Sequence, residues 1–339
     1  MPQLAVVILN WNGIELLQKY IPSVVTHTAN TTEIYVIDNA STDKSVAFLK
    51  DNYPQIKIIV NNENYGFAKG YNEGLKQIEA EYYCLLNSDV EVTPNWDISI
   101  LSFMENNKDV AVCQPKLLSY LQKDEFEYAG AAGGFIDKYG YPFCRGRLFS
   151  TMEKDKGQYE TNEIFWATGA CMFVRSSIYH DLGGLDDDFF THMEEIDFCW
   201  RVKSHGHKVV CCSDSYVFHY GGGSLAMGSP RKTFYNFRNN LIMLYKNLPS
   251  KRLFPVFFMR FIYDFIAALR FLLDSGVADC KAVFKAHISF YKSISSTKIK
   301  RKNIKQSITI GGIYQKNIMI QYFFFKKKKF TDLNTKDFS

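Results

Sequence analysis

Over roughly the first ninety residues, short uninterrupted apolar runs alternate with longer stretches whose apolar positions recur at helical spacing. Leu4-Ala5-Val6-Val7-Ile8-Leu9 stops at Asn10-Trp11-Asn12-Gly13, and Ile14 to Thr28 then reads as a helix. Ile34-Tyr35-Val36-Ile37 stops at Asp38-Asn39-Ala40-Ser41-Thr42-Asp43, and Ile56-Lys57-Ile58-Ile59-Val60 stops at Asn61-Asn62-Glu63-Asn64-Tyr65-Gly66. Phe67 to Ile78 is helical again, and Tyr82-Tyr83-Cys84-Leu85-Leu86 breaks into Asn87-Ser88-Asp89. Strand-length runs alternating with helix-length segments predict a parallel sheet of right-handed βαβ units. Runs that are apolar at every position predict helices on both faces of that sheet. The loops after parallel strands share one edge, so Asp38, Asn64 and Asp89 are expected to be neighbours. That edge is where open α/β sheets take their ligands.

The pattern is weaker beyond Thr93. Asn95 to Asn106 reads as a helix and Val110 to Cys113 as a strand. Gly130, Gly133, Gly134, Gly140 and Gly146 break the next stretch into an irregular β region. Thr151 to Glu163 is charged and poor in apolar residues, which predicts a mobile surface loop. Phe165 to Arg175 returns to a strand with a small-residue entrance that includes Gly169. Met193, Ile196 and Trp200 recur at helical spacing, which predicts a helix from near Thr191. On it, Asp197 and Arg201 are four apart and would pair for about 0.3–0.5 kcal/mol if exposed. Lys208 to Cys212 is a further strand, followed by His219-Tyr220-Gly221-Gly222-Gly223-Ser224.

At 339 residues and 47% hydrophobic, the chain can bury a large core. Its eight cysteines show no CxxC spacing and several lie in apolar runs, as expected of buried thiols in a reducing compartment. No charged start followed by an apolar run and cleavage site opens the chain, which reads as no signal peptide and a cytoplasmic protein. The net charge of +5 is uneven: from Lys281 onward there are fourteen Lys/Arg and two Asp. The remainder is near neutral or acidic, which argues against nucleic acid as a partner.

Chemistry is concentrated in two acidic clusters. Asn87, Ser88 and Asp89 can project oxygens toward one point, and Mg²⁺ usually takes one or two protein carboxylates and fills its shell from substrate phosphates. The same residues also suit a turn that caps the next helix. Glu194 and Glu195 fall in the first turn of their helix, where the dipole favours the ionised form and suits a general base. An acidic first turn is equally a routine stabilising device. His219 beside a glycine run suits a metal ligand, a pyrophosphate contact or a structural histidine. Asp38 can accept the imide N–H of uracil or thymine. No GxGxxG follows the first strand, and Gly66-Phe67-Ala68-Lys69-Gly70 is not a P-loop.

Taken in order, these motifs resemble the family 2 glycosyltransferases of bacteria, in the rhamnosyltransferase-like branch, over roughly Leu4 to Leu248. The resemblance rests on Val6 to Gly13, Val36 to Asp43, Asn62 to Gly70, Leu85 to Asp89, Met193 to Asp197 and His219 to Ser224. It implies a GT-A fold, a Rossmann-like mostly parallel sheet flanked by helices, with residues 1–248 catalytic and 249–339 a helical, basic extension. It implies an inverting glycosyltransferase that moves a sugar from a UDP- or dTDP-sugar to a glycan or lipid-linked acceptor in cell-surface polysaccharide synthesis. In that reading Asn10, Asp38, Asn64, Gly66, Lys69, Asn87, Ser88 and Gly169 hold the nucleotide-sugar. Asp89 and His219 hold Mg²⁺ or Mn²⁺, and Glu195 is the base with Glu194 as its rival. Two departures stand out: Asn87 replaces the first acid of the DxD-like motif, and Glu195 stands where many relatives have Asp. A non-catalytic nucleotide-sugar-binding protein and a nucleotidyltransferase are the alternatives; the latter would want a glycine-rich basic loop after the first strand.

Phe254 to Leu273 is apolar but interrupted by Arg260, Asp264 and Arg270, each costing about 2.5–3.5 kcal/mol at a bilayer centre. On a helical wheel these three and Asp274 fall within about a third of the circumference, which predicts an amphipathic helix. Tyr322-Phe323-Phe324-Phe325 followed by Lys326 to Lys329 repeats the aromatic and basic theme. Peripheral attachment to the inner leaflet is the expectation, with packing on the catalytic domain as the alternative.

Overall fold

The computed structural model describes residues 2–221, 229–307 and 310–339. In chain order it contains β1 (Leu4–Asn10), α1 (Ile14–His27), β2 (Glu33–Asp38), α2 (Ser45–Asn52), β3 (Lys57–Val60), α3 (Gly66–Leu75), β4 (Tyr82–Asn87), β5 (Val90–Val92) and α4 (Trp96–Asn106). Then come β6 (Val110–Ser119), β7 (Gly134–Asp137), β8 (Pro142–Cys144), β9 (Arg147–Leu148), β10 (Thr151–Met152), β11 (Asn162–Glu163), β12 (Cys171–Arg175), α5 (Ser176–Asp181), α6 (Glu194–Ser204) and β13 (Lys208–His219). The chain continues through α7 (Pro230–Asn247), α8 (Ser250–Asp274), α9 (Val277–Lys302) and β14 (Ile313–Tyr314).

The main sheet runs β11-β13-β6-β12-β4-β1-β2-β3, with β5 added against β13. β4, β1, β2 and β3 are parallel, while β12 is antiparallel to both of its neighbours. Alternation along each strand splits the core in two. Leu4, Val6 and Ile8 of β1 enter one apolar cluster with Tyr82, Cys84 and Leu86 of β4. Ala5 and Val7 enter the other, with Tyr83 and Leu85. Successive strand side chains point to opposite faces, and both faces are covered, so the strand sequences have no polar phase. This α/β architecture, a mixed and mostly parallel sheet flanked by helices, agrees with the expected fold class. β2 and β3 lie on one side of β1 and β4 on the other, so the order reverses between β1 and β4, where ligands of open sheets sit.

A second sheet, β10-β9-β8-β7-β14, takes its last strand from beyond the expected boundary at 248. Phe330 and Phe338 pack their rings on Phe135 and Phe143, closing this sheet's apolar face. α8 and α9 form an antiparallel hairpin against α7, turning at Gly276 with φ of +94°, a conformation suited to glycine.

Three expectations are corrected. The stretch from Thr151 to Glu163 is pinned rather than loose: Tyr159 is buried and donates to both oxygens of buried Glu153, which also accepts from the Phe330 N–H. The helix expected from Thr191 starts at Glu194, because His192 and Met193 have φ of +69° and +74° and cannot join it. The Asp197–Arg201 pair is buried, not exposed. Asp197 also accepts from Lys246 and Asn247, and Arg201 donates to the carbonyls of Leu182 and Gly184.

Candidate functional site

The edge after β1 and β2 is tied together by side chains. Asn10 and Asp38 are opposite each other in the parallel register, and Asn10 Nδ2 donates to Asp38 Oδ2 at 2.9 Å. The Ser41 N–H donates to the other Asp38 oxygen at 2.8 Å. Each carboxylate oxygen has a second lone pair, so Asp38 can still accept from a base. Asn39 donates to the Gly66 carbonyl and accepts from Asn61, which links the ends of β2 and β3 to the start of α3. Asn64 accepts from the Gly66 N–H at 3.0 Å, and Lys69 sits 4.0 Å over the Tyr65 ring. Gly66 has φ of +75°, and a Cβ there would stand 2.6 Å from the Phe190 ring. The tight approach lets Phe190 O accept the Phe67 N–H at 2.8 Å.

At the end of β4, Asn87 and Ser88 are half-buried and the Asn87 N–H donates to Ala170 O. β5 turns straight into an antiparallel pair with β13, setting Val90 opposite His219. This brings Asp89 Oδ1 to 3.1 Å from His219 Nε2. On the other side of the imidazole, Glu127 Oε2 stands 3.4 Å from Nδ1. Burial opposes charging His219, but the carboxylates of Asp89 and Glu127 outweigh it and raise the imidazolium to about 10. Glu127 was not legible from the sequence. Its N–H donates to the Leu117 carbonyl on β6, the strand beside β13, and its carboxylate accepts from the Ala129 N–H, while a Cβ on Gly221 would stand 2.9 Å from Glu127 Oε1. Gly222, Gly223 and Ser224 of the motif lie outside the described residues.

Glu194 and Glu195 open α6. Glu194 is buried and Glu195 half-buried, and one oxygen of each has no hydrogen-bond partner. Burial raises the Glu195 carboxyl to about 7 against the pull of the helix's first backbone N–H groups. Burial and then the charge of Glu195 hold Glu194 well above the usual carboxylate range. Loss of hydration therefore wins over the helix dipole that was expected to keep these acids ionised. A Cβ on Gly169 would lie 3.8 Å from Glu195 Cβ and 3.2 Å from the Phe67 ring. Gly169 thus lets Glu195 close on the strand that pairs with β4.

The loop before α6 is strained, with positive φ at Phe190, His192 and Met193. It is held from α7. Asn239 Nδ2 donates to the carbonyls of Phe189, Thr191 and His192, and Arg238 donates to Asp188 O. Backbone strain persists where surrounding contacts over-determine it, and it concentrates at functional sites. Burial and the nearby Lys232 lower His192 to about 4, so an uncharged imidazole lies two residues before the acids. Asn239, Lys232 and His192 were also missed by the sequence reading, which assigned no element to the stretch that forms α7.

Among the described residues, no three His, Cys, Asp or Glu side chains are arranged to hold a metal ion by themselves. Asp89 Oδ1 and His219 Nε2 lie 3.1 Å apart, and a cation between them would require His219 to give up the proton that Asp89 and Glu127 hold on it. A mixed O and N donor set suits Mn²⁺ better than Mg²⁺, which prefers oxygen ligands. The residues fit a cation that takes the rest of its shell from a diphosphate.

A sequence profile of the family described as Glycosyl transferase family 2 matches residues 5–183. The chain is 22% identical over 221 residues to the low-salt glycan biosynthesis hexosyltransferase Agl10 of Haloferax volcanii, covering 64% of this chain and 66% of that one. It is 20% identical over 222 residues to an N-acetylglucosaminyl-diphospho-decaprenol L-rhamnosyltransferase of Mycobacterium tuberculosis, covering 60% and 71%. Among solved structures, GalNAc-T7 with UDP, GalNAc and Mn²⁺ superposes with a TM-score of 0.59 at 16% identity, over 87% of this chain and 58% of that one. At that identity the superposition speaks for the fold.

Proposed function

Because the chain belongs to glycosyl transferase family 2, we propose that it moves a hexose or deoxyhexose from a UDP- or dTDP-sugar to a hydroxyl of a glycan or lipid-linked acceptor. The observation that carries the reading is the placement of Glu195. Its carboxyl has an unpartnered oxygen, is raised to about 7, and stands beside Gly169 next to the end of β4, the strand that leads to Asp89. The mycobacterial relative's name includes a lipid diphosphate acceptor and a deoxyhexose, and supports the rhamnosyltransferase-like branch.

In this reading the nucleotide lies across the ends of β1, β2 and β4. Asp38, oriented by Asn10 and the Ser41 N–H, accepts the pyrimidine imide proton. Asn87, Ser88 and Lys69 border the sugar-diphosphate, and Asn64 and Gly66 shape the loop beneath it. Asp89 and His219 would hold a divalent cation, which when bound offsets the charge that develops on the leaving diphosphate. Glu195 takes the proton of the acceptor hydroxyl as its oxygen attacks the anomeric carbon. The bond from that carbon to the diphosphate oxygen breaks, its electron pair leaves with the nucleoside diphosphate, and the anomeric configuration inverts. A base with a pKa near the working pH is close to the optimum for such a step. Glu194, buried and held above the usual carboxylate range by burial and by the charge of Glu195, is the rival for the base role.

The test is a transfer and donor-hydrolysis screen over UDP- and dTDP-sugars, with and without EDTA. Asp89→Ala and Glu195→Ala should each abolish turnover while the melting curve stays cooperative. Near wild-type transfer by Glu195→Gln would remove that residue from the base role. Donor binding without any turnover would leave a nucleotide-sugar-binding protein.

A further inference from the structure

The α8–α9 hairpin is built with its charges inward. Arg260 and Asp264 are buried on α8 and pair with each other. Arg260 also donates to the Tyr139 carbonyl and to Asn240, and Asp264 accepts from Tyr141 and lies 3.0 Å from His287 Nε2. The polar stripe read from the sequence is therefore divided: its first half is the packing face, and only Arg270 and Asp274 remain outside, paired at 2.9 Å.

The opposite face is apolar and open. Phe254, Phe258, Phe261, Phe265 and Leu269 recur three or four apart, and each is at least 46% exposed, Phe254 reaching 80%. α9 extends the stripe, since the rings of Phe265 and Phe284 lie 6.4 Å apart and exposed Ile288 and Tyr291 follow. Arg270, on the charged side of α8, instead sits 4.8 Å over the Phe323 ring. Soluble surfaces seldom leave apolar patches beyond a few hundred Å². Phenylalanines of roughly 150–250 Å² each, half open along one helix, already reach that size on α8 alone.

The rim of this patch is basic. Lys251, Lys281, Lys285 and Lys292 are exposed, while the other acids of the two helices, Asp264 and Asp279, are buried. A second copy on this face would set lysine against lysine. An anionic headgroup layer sets phosphate against lysine and acyl chains against phenylalanine. Among the described residues no helix is long and apolar enough to cross a membrane, and an amphipathic helix with a basic rim instead lies in the interface plane.

We propose that the outer face of the α8–α9 hairpin docks on the surface of an anionic phospholipid bilayer. The packing face of the same hairpin reaches α7 through Arg260 and Asn240, one residue from the Asn239 that holds the loop before Glu194. Docking therefore sets the catalytic loop at a fixed height over the lipid.

The test is flotation of the full chain with vesicles of phosphatidylcholine alone or of equal parts phosphatidylcholine and phosphatidylglycerol, at low and high salt. It needs neither donor nor acceptor, so its failure is separate from failure of the transfer reading. Wild type should float with the mixed vesicles and be released by salt. Phe258→Asp with Phe265→Asp should lower the floated fraction by about tenfold with no change in melting temperature, because both rings are outside the core. Lys281→Glu with Lys285→Glu should weaken binding to the mixed vesicles only. Wild type that stays at the bottom with both vesicles, or a double Asp variant that floats like wild type, overturns the proposal. So does a wild-type dimer in sedimentation velocity that Phe258→Asp splits, since a second copy would then cover the face.

Discussion

Replacing Glu195 by Gln should do two opposite things at pH 8: stop transfer and stabilise the fold. The stability effect follows from the raised carboxyl. In the unfolded chain a Glu loses its proton near 4.5, whereas in the folded chain this one keeps it up to about 7. Between those values the unfolded state releases a proton that the folded state retains, so wild-type stability falls as pH rises through the window. The full difference corresponds to about 3 kcal/mol at 1.36 kcal/mol per pK unit. Relaxation of the surroundings around the ionised group reduces this to about 1–2 kcal/mol. Glu195→Gln lacks the ionisation, so it should melt about 2–8 °C above wild type at pH 8, with the gap closing by pH 4.5. In parallel, kcat/KM should drop by about 10²–10⁴, and the wild-type value should rise with pH to a plateau above about 7. Differential scanning fluorimetry from pH 4.5 to 8 and initial rates over the same range measure both. A stability gap that ignores pH, or one that favours wild type at pH 8, would refute the argument that burial raises this carboxyl.

Asn239→Ala removes the donor shared by the carbonyls of Phe189, Thr191 and His192; it should cost about 1–3 kcal/mol and lower kcat more than it raises the donor KM. Gly66→Ala must hold φ of +75° and push against Phe190, so a loss of about 1–3 kcal/mol with weakened donor binding is expected from urea melts and donor titration. Arg260→Leu leaves Asp264 buried beside Tyr141 and His287, at a cost of about 3–5 kcal/mol. Combining it with Asp264→Leu should recover most of that loss in the same urea experiment.

How much was readable from the chain depended on whether a position obeyed a period. β1, β2 and β4 are apolar in both phases because helices cover both faces, and their polar stops marked Asn10, Asp38 and Asp89 before any coordinates were needed. Glu127 obeys no period. It reaches His219 because its N–H pairs with the Leu117 carbonyl on β6, the neighbour of β13, a contact with no local signature in the chain. The start of α6 was misplaced by three residues because His192 and Met193 hold left-handed backbone without being Gly or Asn. Their conformation is imposed by Asn239 from far along the chain. On α8 the helical wheel separated the charged from the apolar side correctly, but a wheel does not say which side faces in. Here four partners, Tyr139, Tyr141, Asn240 and His287, satisfy the buried pair and so decide it.

The order in which the second sheet receives its strands bears on how the chain is made. β7 and β8 leave the ribosome early, yet β14 pairs with β7, and Phe330 and Phe338 cap Phe135 and Phe143. Until residues 313–338 have emerged, the nascent chain presents those two rings uncovered and β7 with an open edge. A premature stop within that stretch would do more than shorten the product. It would release a protein whose nucleotide-facing half is complete but which carries a sticky seam, a substrate for chaperones and proteases.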